Sequence, residues 1–164
     1  WPIMRESQAD VLKLPNTGMA VSLDLGDSTN AHYKNKQDVG YRLHLAARHL
    51  AGEKLEYSGP VYQKMSVENG SIRLYFDHAN GMKTSDGGAL KGFTVAGEDG
   101  IFVPAEAKID GKTVVVTSSV VSKPVAARYS YVGWPFYNLV NGDNLPASSF
   151  RTDTWETDGK MGKN

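Results

Sequence analysis

Val61-Tyr-Gln-Lys-Met-Ser-Val-Glu-Asn-Gly-Ser-Ile-Arg-Leu-Tyr-Phe-Asp77 reads as two strands joined by a tight turn. Val61 to Val67 and Ser71 to Asp77 are short runs rich in Val, Ile, Tyr and Phe, the residues enriched in strands. Asn69-Gly70 suits a two-residue hairpin, because both central residues of such a turn need positive φ. Outward from this pair, short runs rich in Val, Ile, Tyr and Phe recur at 92–96, 102–109, 113–117 and 125–132. Turn signals separate them at Asn80-Gly81, Asp86-Gly-Gly88, Asp99-Gly100 and Asp110-Gly111, and Ile109-Asp-Gly-Lys112 has the same tight hairpin form. Strands spaced this closely predict an antiparallel β-sandwich over about 57–153.

Ahead of Ala51 the period is different. Residues 2–14 read as a helix, with Pro2 in its first turn, Ile3, Val11 and Leu14 apolar, and Pro15-Asn-Thr-Gly18 as its stop. Met19-Ala-Val-Ser-Leu-Asp-Leu25 suits a buried strand, and a helix from about 34 to 50 would place Val39, Leu43, Ala46 and Leu50 on one face. Such a helix-strand-helix unit cannot stand alone, because a single strand leaves both backbone edges unpaired. The fold class expected is α+β and mainly β: helix-strand-helix over 1–53, sandwich over 57–153, and a loose polar tail over 154–164.

Composition narrows the function classes. The 164 residues are 40% hydrophobic and 22% charged, with zero formal charge, as in a globular domain with one ordinary core or two small ones. No basic run exceeds two residues, which argues against a nucleic-acid or anionic-membrane footprint. No apolar stretch approaches a spanning helix of about 20 residues. Cysteine is absent, so disulfides, thiolate nucleophiles and zinc-thiolate sites are excluded together. An opening on Trp1-Pro2 is expected of a piece of a longer protein, and says nothing of compartment.

The stretch Asp24-Leu-Gly-Asp-Ser-Thr-Asn-Ala-His-Tyr-Lys-Asn-Lys-Gln-Asp-Val-Gly40 carries the chemistry. It sets a lone His32 on a loop between the expected strand and an amphipathic helix, where α/β hydrolytic folds keep a general base. The other reading of His32 is a loop residue supporting the helix that follows.

At these residues the chain resembles the sialate O-acetylesterase family, esterases of the SGNH type. The resemblance runs through Arg5-Glu-Ser-Gln8, Leu14-Pro-Asn-Thr-Gly-Met-Ala-Val21, Asp24-Leu-Gly-Asp27, His32, Lys34-Asn-Lys-Gln-Asp-Val-Gly40, Gly59-Pro-Val-Tyr62, Leu90-Lys-Gly-Phe93, Ala96-Gly-Glu-Asp-Gly100, Leu145-Pro-Ala-Ser148 and Phe150-Arg-Thr-Asp153. It implies that residues 1–53 are the closing segment of an SGNH catalytic domain and that a β-domain follows. It also implies acetyl transfer from O-acetylated sialic acid, or a related acetylated sugar, without metal or cofactor, in a periplasmic or extracellular setting. The Ser nucleophile and oxyanion-hole residues would belong to an N-terminal catalytic portion outside this sequence, leaving the segment inactive alone.

The resemblance also assigns roles. His32 would take the proton of the Ser nucleophile, with a carboxylate fixing its tautomer. SGNH enzymes commonly place that Asp three residues before the His, where this chain has Thr29, followed by Asn30. Asp27 is the nearest carboxylate and the expected orienting residue. Its alternative role is an Asp making a loop turn beside Gly26. Tyr33 stands where the family usually has Pro. Gly26-Asp27-Ser28 imitates a nucleophile block, but no Gly-x-Asn-Asp block follows, and Ser28 lies too near His32 in the loop to align with it. His44, His49 and His78 lack zinc spacing and read as solvated histidines. The aromatic cluster Tyr129, Tyr131, Trp134, Phe136 and Tyr137 reads mainly as core, with a sugar-stacking platform as the other reading. A non-catalytic module binding carbohydrate or a partner is the rival function.

Overall fold

The computed structural model describes residues 1–27, 29–30, 32 and 34–156. Two helices precede ten short strands: α1 (Pro2–Ala9), α2 (Lys36–Leu50), β1 (Val61–Glu68), β2 (Ser71–Asp77), β3 (Lys83–Thr84), β4 (Phe93–Ala96), β5 (Val103–Pro104), β6 (Glu106–Asp110), β7 (Thr113–Thr117), β8 (Ala126–Tyr129), β9 (Leu139–Val140) and β10 (Phe150–Arg151). The fold is α+β and mainly β, with antiparallel pairing throughout the named strands.

The sheets run β1-β2-β7-β6 and β10-β8-β4-β5, with a small β3-β9 pair. The β1–β2 hairpin closes through Asn69 (φ 38°) and Gly70 (φ 84°), with Glu68 opposite Ser71, the primed turn expected of Asn-Gly. The β6–β7 hairpin is shifted by one residue from expectation. Asp110 pairs with Thr113, so the central residues are Gly111 (φ 59°) and Lys112. Only the first needs the glycine-favoured conformation. Arg73 holds this corner from β2, donating to Asp110, Thr113 and Glu68.

The run expected at 102–109 divides between the two sheets. β5 pairs with β4, β6 pairs with β7, and the Ala105 N–H between them donates to Phe93 O. Pro104 lacks a donor, which favours a break in the ladder there. Ile72, Leu74, Phe76, Val114 and Val116 of one sheet share a core with Phe93, Val95, Ala127 and Tyr129 of the other.

Two expectations about the N-terminal residues are corrected. Residues 19–25 form no strand: 17–22 are irregular and Leu23–Leu25 is a single 3-10 turn. Among the described residues no strand lies beside them, so a ladder has no partner; the Arg42 side chain takes the Val21 carbonyl instead. Nor do Leu43 and Leu50 lie on the buried face of α2. They are 48% and 45% exposed, while Arg42, Leu45 and Ala46 are buried. The expected helix 2–14 forms as α1 followed by a 3-10 turn at Asp10–Lys13. No described helix is long and apolar enough to cross a membrane, and the tail beyond Glu156 lies outside the described residues.

Candidate functional site

The loop before α2 is built from the base upward. Arg42, 8% exposed, donates through one terminal nitrogen to Val21 O and Asp24 Oδ1, each at 2.6 Å, and through the other to Asp24 Oδ2. A planar guanidinium matches a carboxylate with two parallel bonds, so Asp24 is fully committed to fastening the 21–24 segment against α2. At the far end, Asn35 caps α2. Its Oδ1 accepts from Asp38 N at 3.1 Å and its Nδ2 donates to Asp38 Oδ2 at 2.7 Å, satisfying an orphan donor of the first turn.

Between these anchors, short polar side chains bond to nearby backbone. Asp27 Oδ1 accepts from Thr29 Oγ1 at 2.7 Å and from Thr29 N at 2.8 Å. Those bonds, the hydroxyl first, hold the Asp27 carboxyl below the usual carboxylate range. Asn30 Oδ1 accepts from His32 N at 2.8 Å. His32 is exposed. Among the described residues no hydrogen bond joins its ring to a carboxylate, and the Asp27 bonds to Thr29 both fall on Oδ1. Asp27 and His32 therefore share one loop without being bonded to each other. Ser28 and Tyr33 lie outside the described residues.

The sandwich approaches this loop with an aromatic residue. A methyl group built on Gly26 would lie 3.5 Å from the Trp134 ring. Burial, and then the Asp24 charge, push the Tyr137 hydroxyl up. Of the aromatic cluster, Tyr129 and Tyr131 are buried, whereas Trp134 and Phe136 are 54% and 74% exposed. The segment carrying them is held by α1: Arg5 donates to Ser130 O at 3.1 Å and Val132 O at 2.7 Å, and Tyr131 donates its hydroxyl to Glu6 at 2.9 Å. Burial lowers the Arg5 pKa without freeing it from these carbonyls.

The other histidines lie apart. His44 is exposed on α2. His49 and His78 are not simply solvated, since they flank Tyr57: His49 stacks on it with centroids 3.7 Å apart, and His78 meets it edge-on at 4.9 Å. His78 Nδ1 lies 2.6 Å from Glu56 Oε1. These groups border a cavity of about 280 Å³ between the helices and β1. Among the described residues no group of three or more His, Cys, Asp or Glu is placed to hold a metal ion.

Sequence reasoning missed Arg42. The signal was an Arg at a position where the helix face otherwise turns inward, beside Leu45 and Ala46.

Comparison with known proteins shows what the chain is similar to. The sialate O-acetylesterases of Mus musculus and Homo sapiens are each 32% identical to the chain over 133 residues, 75% of this chain and 25% of each relative. Across three quarters of its own length the chain is similar to these sialate O-acetylesterases. It spans about a quarter of the length of these curated sialate O-acetylesterases. A carbohydrate acetylesterase from Xanthomonas citri, known from its crystal structure, is 49% identical with a TM-score of 0.92, covering 94% of this chain and 36% of that one. No family model matches the chain.

Proposed function

We propose that this chain is the His-bearing part of a sialate O-acetylesterase-like hydrolase that removes acetyl esters from sialic acids or related sugars. Residues 1–53 close its catalytic domain, and 57–153 form a sandwich domain behind it. The observation that carries the reading is the exposed His32, presented between the Arg42–Asp24 clamp and the Asn35 cap of α2, in a chain that matches acetylesterases over most of its own length.

The chemistry would run as acyl transfer. A Ser hydroxyl from outside these 164 residues attacks the acetyl carbonyl while His32 takes its proton, then returns that proton to the leaving sugar oxygen. His32 next takes a proton from water, which attacks the acetyl-Ser carbonyl; acetate leaves, and the proton returns to the Ser oxygen. Asp27 is the proposed orienting carboxylate. To serve, it would keep one oxygen on Thr29 and turn the other to the imidazole.

Without the nucleophile and its oxyanion donors, the isolated chain should not turn over substrate. The test is hydrolysis of p-nitrophenyl acetate and 9-O-acetylated N-acetylneuraminic acid by the chain and by the longer protein that contains it. The reading expects background rates from the chain and a His32-dependent rate from the longer protein. A rate in the isolated chain that vanished in both His32→Ala and Ser28→Ala would replace it with a self-contained esterase.

The module reading, carbohydrate or partner binding without catalysis, is favoured by one observation. Thr29 already donates twice to Oδ1 of Asp27, the carboxylate assigned to orient His32. A longer protein indifferent to His32→Ala would establish it.

A further inference from the structure

We propose that Trp134 and Phe136 form a sugar-stacking platform beside the His32 loop, and that the pyranose ring of the acetylated substrate lies on it. The ligand class rests on the esterase reading; the platform itself rests on geometry.

Three observations converge. First, these are large aromatic rings left 54% and 74% exposed in a segment whose neighbouring aromatics, Tyr129 and Tyr131, are buried. Second, the backbone beneath them is fixed. Ser130 Oγ donates to Phe136 O at 2.6 Å, Pro135 is buried between the two rings' positions, and Arg5 grips the carbonyls of Ser130 and Val132. Gly92, at φ +88°, admits this backbone so closely that a methyl group there would fall 2.3 Å from Phe136 O. Exposed rings on an ordered backbone lose little entropy on binding, which suits a stacking surface. Third, Trp134 lies against Gly26, the residue that opens the stretch leading to Asp27 and His32. A sugar stacked on Trp134 therefore lies beside the start of the loop that carries His32.

The occupant follows from chemistry. A pyranose offers a flat apolar face of C–H groups ringed by hydroxyls, and an aromatic face packs against the former while leaving the latter to water or polar groups. Neighbouring guanidiniums do not compete for it, since Arg42 and Arg5 are spent on Asp24 and on backbone carbonyls.

The test is binding, which needs no turnover. The chain is titrated with 6-O-acetyl methyl glucopyranoside and with the methyl glycoside of 9-O-acetylated N-acetylneuraminic acid. The indole N–H signal of Trp134, identified by its loss in Trp134→Phe, is followed by NMR. The expected result is a saturable shift with at least one sugar, weakened about threefold or more in Phe136→Ala, a change of one stacking contact. Phe136 is exposed enough that this variant will fold. A Trp134 signal that does not saturate with either sugar, or Phe136→Ala binding equal to the parent, overturns the platform. So does protection of Trp134 from N-bromosuccinimide in the longer protein without sugar, because protein would then cover it. Loss of His32-dependent hydrolysis with the shift intact sinks the esterase reading and leaves the platform standing.

Discussion

Gly59 leaves no room for a side chain. A methyl group there would fall 2.0 Å from the Pro146 carbonyl oxygen and 2.6 Å from that of Leu145, so both segments must part to admit it. Gly59→Ala is expected to cost about 2 kcal/mol or more, visible as a Tm lowered by several degrees; an unchanged melt would mean the two segments separate freely. Asp86 offers a test by pH. Asn138 Nδ2, then Gly88 N and the Lys91 ammonium, hold its carboxyl down to about 2 from an ordinary 3.8. A depressed folded value contributes stability that is complete above the unfolded pKa and lost as pH falls through the folded one. Stability should therefore decline as pH drops from about 4 towards 2, and Asp86→Asn should flatten part of that decline in acid denaturation curves. Asp153 contributes in the same direction: burial raises its pKa, but Arg128 and Arg151 outweigh this and lower it. Some of these residues were legible. Gly59 stood in a stretch shared with a known family, and Asp86 preceded two glycines. Asn141 was not, because its role is wholly tertiary: its side chain is buried and bonds Ser58 O, His78 O, Asp143 N and Leu145 N, joining loops far apart in sequence.

The runs rich in Val, Ile, Tyr and Phe beside the two hairpin turns were legible in the sequence: 71–77 and 113–117 coincide with β2 and β7. The two-residue strands β3, β9 and β10 were invisible, since pairing of that length depends on the neighbour and not on local pattern. Residues 19–25 fail in the opposite way. Their apolar character is real, yet a strand requires a partner, and here the Arg42 guanidinium takes the one carbonyl it can reach. The same clamp explains why the helix face was misjudged by one side of the turn. Arg42→Lys, which cannot make the planar double bond, is expected to cost about 1–2 kcal/mol and to speed amide hydrogen exchange over 21–27. Exchange unaltered there would show the segment is held by packing alone. The candidate site was legible as a loop His because the polar residues around it, Asp27, Asn30 and Asn35, cap and turn locally. Its closeness to Trp134 was not legible, because more than a hundred residues of chain intervene.

In a complete enzyme carrying this sequence, His32→Ala is expected to lower kcat by at least about a thousandfold, with Asp27→Ala appreciably milder. Mild, equal losses would remove this loop from the chemistry. Residues 54–155 should fold alone, because the two sheets share their own core, though with a lower Tm once Arg5 and Glu6 are gone; a collapsed amide spectrum would show that α1 and α2 are needed. Those two residues also set an order in time. Arg5 reaches Ser130, Val132 and Ser149, and Glu6 reaches Tyr131 and Arg151, across separations of 125 to 145 residues. On the ribosome α1 emerges ahead of the sandwich, and these contacts wait until nearly all of it has followed. Its docking is thus a late step of folding, so Glu6→Gln should hasten unfolding and leave the rate of refolding almost untouched.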